Sequence, residues 1–402
     1  ASAGAAALAA CATNPTTGRS QAFGSIEDDV KLGAQEHPKI VAAFGGEYED
    51  SRVTGYVQNL GRVIAAKTEF PNLPYRFTVL NSPIVNAFAL PGGYVYLTRG
   101  LLALASNEAE VAGVLGHEIG HVTARHSAER QTQSIFAQLG LLVRGVATGS
   151  QALTDLASVG ATAYLQSYSR DQELEADTLG IRYMSKAGWQ PEGMVTFLAT
   201  LREWSQIEAR LDGRDPNSVD QYNWLATHPR TLDRVEAAMK AAAVSQEGKI
   251  NRDGYLQQID GLRFGDDPAQ GIIDGQSFRH PGLRFAFEAP SGFRLMNGAS
   301  EVTAQHPNGA ALVFDIARAQ SGDLAQYIAG EWAGGTSVGN LQRFTVNGME
   351  AASGFARVQS NSGTVDLIPV AIRGEGSQVF RFLFIAPGGE LGVGERREVD
   401  GI

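Results

Sequence analysis

The sequence has 402 residues, too many for one typical domain, and its 43% hydrophobic and 19% charged residues are typical of a folded globular protein. The formal net charge of −10 and the lack of any cluster of Lys and Arg argue against nucleic acid as a partner. A single cysteine excludes an intramolecular disulfide, and the sequence holds no run of about 18 apolar residues that would predict a transmembrane helix.

The first residues resemble the end of a bacterial lipoprotein signal peptide. Small residues lead to Leu8-Ala9-Ala10-Cys11, which contains the only cysteine of the chain. In this interpretation Cys11 is lipidated and anchors the mature protein to a membrane, and the polar residues 12–21 form a flexible tether. The alternative is a disordered, Ala-rich terminus with an incidental cysteine. We therefore expect residues 1–24 to be a signal-peptide remnant, lipobox and tether.

The rest of the chain divides into two parts of different pattern. Residues 25–245 predict a mainly helical domain with one β segment, in which a Pro91-Gly92-Gly93 turn precedes a strand over Val95 to Thr98. Residues 246–277 are rich in Gly and Asp and predict a linker with one or two short strands. Residues 278–402 predict a smaller α+β domain. The predicted fold class is α+β, with a small β-sheet in the helical domain.

The C-terminal part alternates short β-type runs with polar turns, and it also contains one amphipathic helix, Asp323 to Trp332. The runs are Ala311 to Ile316, Gly363 to Arg373 and Gln378 to Ile385. Gly335-Thr336-Ser337-Val338-Gly339 fits the G-x-S-x-G pattern of serine hydrolases, whose serine follows a strand and precedes a helix. Here a helix comes first, so we predict a loop, and a serine hydrolase is a remote alternative.

One helix in the first part carries the main chemical signal. Asn107 is a candidate N-cap with Glu110 three residues later, and apolar residues then recur at helical spacing. The helix contains glycines at 113, 116 and 120, each of which costs about 1 kcal/mol relative to Ala. We expect these glycines to allow close packing against neighbouring helices.

Residues 117–121 of this helix form an H-E-x-x-H motif. His117 and His121 lie one turn apart, so both imidazoles can bind one Zn²⁺ at about 2.0–2.1 Å. Glu118 can take the proton of the attacking water and pass it to the leaving amine, as a general base. The alternative is a surface helix that carries two histidines, but charged groups within an apolar helix are costly unless they have a use. The motif predicts one zinc ion per chain.

A third ligand is needed, because catalytic zinc usually has three protein ligands and an open position. The metzincin pattern would require Gly at 124 and His at 127, where this chain has Ala124 and Ser127. Glu173 is a better candidate, and Asp177, one turn later, can accept the N–H of a ligand histidine. The alternative is an acidic pair that interacts with a helix dipole. We expect His126, one residue out of register, to form a structural hydrogen bond.

Several motifs in order resemble the M48 metallopeptidases, over about residues 25–243. The motifs are Asn86-Ala87-Phe88-Ala89-Leu90-Pro91-Gly92-Gly93, then His117-Glu118-Ile119-Gly120-His121-Val122-Thr123-Ala124-Arg125-His126, then Glu173 to Gly180, and His228-Pro229 with Arg234. The form without membrane spans is most similar to the BepA-like periplasmic members. The resemblance therefore implies a zincin-type metalloprotease in the bacterial periplasm, held by a lipid on Cys11.

The resemblance also implies how substrate is bound. Residues 86–96 would present an exposed strand edge over the cleft, where an extended polypeptide pairs with the backbone of Asn86, Ala87, Phe88 and Ala89. The alternative is a plain hairpin with no binding role. Residues 131–168 would form a flap over the cleft.

Two further site residues follow from the resemblance. His228 would occupy the open zinc position and keep the enzyme latent, and the alternative is a helix-capping His-Pro. Arg234 would face the cleft as a catalytic residue that stabilises the oxyanion, and the alternative is a surface salt bridge.

The predicted function is a zinc endopeptidase that cleaves unfolded or misassembled cell-envelope proteins. The alternative is a non-enzymatic envelope assembly factor or chaperone with a latent zinc site, whose partners would bind residues 278–402. The chain departs from the BepA-like pattern because it shows no 34-residue helical repeat after the protease domain.

Overall fold

The computed structural model describes residues 12–18, 20–21, 24–127, 168–211, 215–216, 234, 240, 247–298, 301–320, 322–360 and 363–387. The described residues up to Phe264, except Ala42–Gly45, form one compact unit, and those from Gly265 onward belong to a second. The first unit is mainly helical with a small sheet and the second is rich in strands, which confirms the α+β class. No helix within the described ranges is long and apolar enough to cross a bilayer.

The first unit contains seven described helices and five strands. The helices are α1 (Ile26–Ala43), α2 (Ser51–Ala65), α3 (Arg99–Leu104), α4 (Glu108–Ala124), α5 (Arg170–Lys186), α6 (Glu192–Leu211) and α7 (Arg252–Ile259). The strands are β1 (Ala12–Thr13), β2 (Ser20–Gln21), β3 (Arg76–Leu80), β4 (Ala87–Leu90) and β5 (Tyr94–Thr98).

A three-stranded sheet packs against these helices in the order β3-β5-β4. Strand β3 runs parallel to β5, and β4 pairs antiparallel with β5 so that Ala87 lies opposite Leu97. Strand β4 therefore lies at an edge of the sheet as described. The prediction of a single β segment was wrong, because β3 was missed. Four of the five residues of β3 are buried, so its sequence lacks the alternation of a half-exposed strand.

Helix α4 lies at the centre of the unit, and every one of its 17 residues is buried. The Asn107 side chain caps it by accepting the Glu110 N–H, as predicted, while the Glu110 carboxylate accepts the Ser106 N–H at 2.8 Å. A Cβ added to Gly116 would lie 2.8 Å from the Gly180 carbonyl oxygen of α5. The two helices therefore approach backbone to backbone, which confirms the close-packing role expected of the glycines and brings their side chains to one place.

The segment after Cys11 is not the flexible tether that we predicted. Strands β1 and β2 pair with each other, and the Asn14 side chain is only 2% exposed. Its amide donates to the Thr123 carbonyl in the last turn of α4 at 2.9 Å. A buried amide with a backbone partner fixes the segment to the helix that carries His117 and His121. Cys11 itself lies outside the described residues.

The carboxylate of Glu108 joins the start of α4 to three other parts of the chain. Glu108 is 5% exposed, and its carboxylate interacts with four donors: Trp189 Nε1 at 2.7 Å, Asn251 Nδ2 at 2.7 Å, Tyr56 Oη at 2.9 Å and Lys249 Nζ at 3.2 Å. Burial alone would raise the pKa of Glu108, but these four donors outweigh it and lower the pKa. The ionised carboxylate thus stabilises the fold.

We expect Glu108→Gln to lower the free energy of unfolding by about 2 kcal/mol or more at neutral pH, because an amide cannot accept from all four donors. A folded-state pKa below the unfolded value means that this stabilisation is present above the unfolded pKa and is lost as pH falls through the folded pKa. The difference in melting temperature between wild type and variant should therefore shrink in acid. The exposed Glu192→Gln is the matched control. A constant difference from pH 7 to pH 3 would contradict the assigned role.

The predicted linker contains regular structure. Residues Arg252–Ile259 form α7, which sequence analysis missed, and Tyr255 of this helix is fully buried and donates to the Leu102 carbonyl. Helix α7 follows Asn251, whose left-handed φ of 52° turns the chain into it without a side-chain cap. The missing cap and the glycine at 254 explain why no clear helix signal is present in the sequence here.

The second unit contains two sheets. Strands β6 (Ile272–Asp274), β7 (Ser277–His280) and β8 (Phe285–Glu288) form a small antiparallel sheet. The large sheet has the order β12-β13-β14-β15-β11-β10-β9. Its strands are β9 (Arg294–Asn297), β10 (Glu301–Gln305), β11 (Ala311–Arg318), β12 (Gly339–Val346), β13 (Met349–Ser360), β14 (Gly363–Arg373) and β15 (Gln378–Pro387). A cluster of buried phenylalanines joins the two sheets: Phe278, Phe287, Phe314, Phe380, Phe382 and Phe384.

The predicted amphipathic helix of this unit is a short helix α8 (Leu324–Tyr327) followed by a π-helical turn, Ile328–Trp332. Asp323 caps α8, and Leu324 and Ile328 pack on the large sheet with Ala352. Ser337 lies in the loop before β12, with no strand before it, as the G-x-S-x-G analysis predicted.

Candidate metal centre

Helices α4 and α5 bring the predicted metal-binding side chains together. His117 and His121 project from one face of α4, and Glu173 from the first turn of α5. The α5 helix begins with a capping box between Ser169 and Gln172, so Glu173 has a fixed backbone position. All three residues are at most 5% exposed.

The three side chains can each direct one ligand atom to a common point. The two Nε2 atoms of His117 and His121 are 3.0 Å apart. Glu173 Oε2 lies 3.6 Å from His117 Nε2, and Glu173 Oε1 lies 3.4 Å from His121 Nε2. Tetrahedral bonds of about 2.0–2.1 Å place ligand atoms roughly 3.3–3.4 Å apart. Two imidazoles and a carboxylate are also donors that zinc accepts, so these residues fit a zinc ion.

Asp177 holds the outer nitrogen of His117. Its Oδ1 lies 2.8 Å from His117 Nδ1, so a neutral imidazole that donates here directs a bare Nε2 inward. Burial opposes protonation of His117, but the hydrogen bond and charge of Asp177, together with Glu173, raise its pKa. Burial alone would raise the pKa of Asp177, yet Arg234 and His117 lower it, so Asp177 stays ionised.

Arg234 pairs with both carboxylates of α5. Its Nε and Nη2 each lie 2.7 Å from Asp177, and its Nη1 lies 2.5 Å from Glu173. Arg234 is 3% exposed, so the ion pair is buried and is not the surface pair that we considered. Burial opposes the charge on Arg234, but Asp177 and Glu173 raise its pKa. The guanidinium thus orients both carboxylates.

Charge balance also favours a cation at this place. Among the described residues, the three buried carboxylates of Glu118, Glu173 and Asp177 lie near one buried guanidinium, that of Arg234, which leaves two negative formal charges in this group. Buried charge is costly unless it is paired or coordinates a metal. A divalent ion would neutralise the excess.

Sequence analysis missed part of the surroundings of His121. His126, which was expected to form a structural hydrogen bond, has its Nδ1 2.8 Å from His121 Nδ1 and its Nε2 3.0 Å from Glu175 Oε2. The Tyr168 ring stacks on His121 with centroids 3.8 Å apart. Sequence analysis did not identify Glu175, and the signal that could have identified it was its position between Glu173 and Asp177.

Glu118 lines a cavity of about 410 Å³, its open mouth included, together with His117 and Arg234. Apolar side chains form most of the remaining wall: Leu101, Val114, Met194, Phe197, Leu198 and Leu201. Glu118 is 2% exposed. A group bound in this cavity would therefore meet a carboxylate and an imidazole between mostly apolar walls, where electrostatic effects are stronger than in bulk water.

The start of strand β4 borders the same cavity, through Asn86 and Ala87. The Thr98 N–H donates to the Asn86 carbonyl at 3.0 Å, one position beyond the Ala87–Leu97 pair, while the Asn86 N–H donates to the Thr98 hydroxyl. The Asn86 backbone thus faces β5. Because the backbone groups of successive strand residues alternate in direction, the N–H and C=O groups of Ala87 and Ala89 point away from β5. The side chain of Phe88 instead stacks on Tyr96, with centroids 4.9 Å apart. Strand β4 thus directs backbone groups of two alanines to the side away from β5, which is an edge of the sheet among the described strands.

Three predictions fall where the structure gives no description. His228, Cys11 and the predicted flap, from residue 131 to residue 167, lie outside the described residues. The latch, lipidation and flap stay predictions of the sequence.

Comparison with known proteins adds independent information. Residues 51–242 match the model of peptidase family M48. The beta-barrel assembly-enhancing protease of Escherichia coli (strain K12) is 32% identical over 203 residues, which are 48% of this chain and 39% of that protein. The mitochondrial metalloendopeptidase OMA1 of Arabidopsis thaliana is 32% identical over 203 residues, 48% of this chain and 38% of that protein. OMA1 of Saccharomyces cerevisiae is 32% identical over 171 residues, 42% of this chain and 47% of that protein. The chain spans less than half the length of each of these relatives.

Proposed function

Because residues 51–242 form a peptidase family M48 domain, we propose that the protein is a zinc-dependent endopeptidase that cleaves unfolded or misassembled cell-envelope proteins. The observation that carries the proposal is the buried cluster of His117, His121 and Glu173 with Glu118 beside it. These three residues would hold one Zn²⁺, which when bound would polarise the peptide carbonyl and acidify the attacking water. The family and the names of the relatives support a metalloprotease.

The other residues have roles that their contacts support. Glu118 accepts a proton from the attacking water and returns it to the amine nitrogen of the leaving peptide. Asp177 holds His117, and Arg234 holds Asp177 and Glu173. Because all of these Arg234 contacts are to carboxylates, they support a positioning role more than the oxyanion role predicted from the sequence. His228 as a latch and Cys11 as a membrane anchor remain parts of this proposal.

Substrate would bind as an extended strand along β4. The outward N–H and C=O groups of Ala87 and Ala89 can pair with any backbone, which suits an enzyme for unfolded chains. Asn86 and Ala87 also line the cavity of Glu118, so a polypeptide on this edge would pass the catalytic carboxylate.

The proposal predicts that cleavage of an unfolded protein depends on bound metal. We expect the purified protein to hold about one zinc per chain, to lose cleavage on chelation and to regain it with added Zn²⁺. A serine-directed inhibitor should have no effect, because Ser337 lies in a loop without the elbow that activates a nucleophile. Cleavage that persists after chelation and stops with the inhibitor would reverse the assignment.

The beta-barrel assembly-enhancing name of one group of relatives supports a second function in envelope assembly. In that case partners would bind residues 278–402, and proteolysis would not be required. An envelope defect of a strain lacking the protein that Glu118→Gln repairs as well as wild type would favour this function. Failure of Glu118→Gln to repair the defect would favour proteolysis.

A further inference from the structure

His121 faces two ways. Its Nε2 points to His117 and Glu173, and its Nδ1 lies 2.8 Å from the Nδ1 of His126. Two imidazole nitrogens at this distance share one proton. If both nitrogens carried a proton they would repel each other, and if neither did there would be no hydrogen bond. The other nitrogen of His126 lies 3.0 Å from Glu175 Oε2.

The position of the metal decides where each proton lies. A histidine that binds a metal through Nε2 has no proton there, so a neutral His121 carries its proton on Nδ1 and donates to His126. His126 then accepts at Nδ1 and carries its own proton on Nε2, which donates to Glu175. Glu175 is partly solvated, with 23% of its side chain exposed.

The backbone after α4 is built to deliver His126 to this place. Arg125 ends α4 in the left-handed region, with φ of 60°, and its N–H bonds the His121 and Val122 carbonyls. The Arg125 side chain is held by Asp29 at 2.6 Å. The turn returns the next residue toward His121, and His126 is fully buried. A non-glycine residue with this φ persists only where the surroundings hold it.

We propose that His126 and Glu175 are positioning residues that fix the tautomer and orientation of His121 as a metal ligand. His117 reaches the carboxylate of Asp177 directly, whereas His121 reaches that of Glu175 through a second imidazole. Three acids thus lie two residues apart on α5, and each has its own role. Glu173 would bind the metal, Glu175 supports His121 through His126, and Asp177 supports His117. The inference depends on the metal centre of the proposed function and adds the support of its second histidine.

The test measures zinc affinity by competition with a chromophoric chelator. We expect Glu175→Ala and His126→Phe each to weaken zinc binding by about 10-fold or more, as is usual when the partner of a ligand histidine is lost. His126→Gln should recover part of the affinity, because an amide can accept from His121 and donate to Glu175. Asp171→Ala, which removes an exposed acid from the first turn of the same helix, is the matched control and should bind zinc like wild type.

Long-range ¹H–¹⁵N spectra of the zinc-loaded protein show which ring nitrogen of each histidine carries the proton. A purely structural role of His126 would not require a particular tautomer. The spectra should show His121 protonated on Nδ1 and His126 on Nε2. A proton on Nδ1 of His126, or unchanged zinc affinity in Glu175→Ala, would overturn the proposal while the metal centre stands. A wild-type protein that binds no zinc would instead overturn the metal centre and this inference together. Melting temperatures show whether His126→Phe is folded, and Glu175→Ala serves if it is not.

Discussion

Glu118→Gln should retain zinc and lose cleavage of an unfolded protein by about 100-fold to 10,000-fold, the usual contribution of a general base. Glutamine has the size of glutamate, and Glu118 lines the cavity without belonging to the metal-binding cluster. The substitution therefore removes the ability to take a proton from water, together with one negative charge, and leaves all three metal-binding side chains in place. The measurements are the zinc content and the initial cleavage rate of the same preparation.

The matched control for this variant is Glu203→Gln, an exposed glutamate of α6. It should cleave like wild type, which would show that an amide elsewhere in the unit has no effect. If Glu118→Gln with a full complement of zinc cleaved at the wild-type rate, Glu118 would not be the base. The proposed mechanism would then fail even though the metal site remained.

The part of the site that lies on single helices could be predicted from the sequence. The cap at Asn107, the helical spacing of apolar residues and the small glycines of α4 all indicate a buried helix, and local geometry then places His117 and His121 together. The spacing of Glu173 and Asp177 likewise puts them on one face of α5. Such signals act within one or two turns, where the periodicity of the helix determines geometry.

What could not be predicted depends on contacts between distant segments. Strand β3 and helix α7 have weak local signals and gain their structure from packing, as the burial of Phe77 and Tyr255 shows. The link from His126 to Glu175 joins residues 49 positions apart. It also depends on the left-handed Arg125, a conformation that arginine rarely prefers. Tertiary packing determines these features, and no local sequence pattern indicates that packing.

Glu173→Ala should weaken zinc binding by more than about 100-fold, beyond the loss expected when a partner of a ligand is removed. Without the carboxylate, only His117 and His121 remain of the described cluster, and two imidazoles do not complete a zinc site. Of the two carboxylates that Arg234 contacts, the variant should keep that of Asp177 and lose that of Glu173. Cleavage should fall with the metal and return in part at high zinc concentration.

The competing interpretation of Glu173 is an acid that stabilises the N-terminus of α5 through the helix dipole. Asp171→Ala distinguishes the two, because Asp171 lies in the same first turn but is exposed and outside the metal cluster. A dipole role would give both variants a similar small loss of thermal stability, within about 1 kcal/mol, and no loss of zinc. A ligand role would confine the loss of zinc to Glu173→Ala. Equal zinc content in both variants would therefore remove Glu173 from the metal centre and leave it as an acid that interacts with the helix dipole.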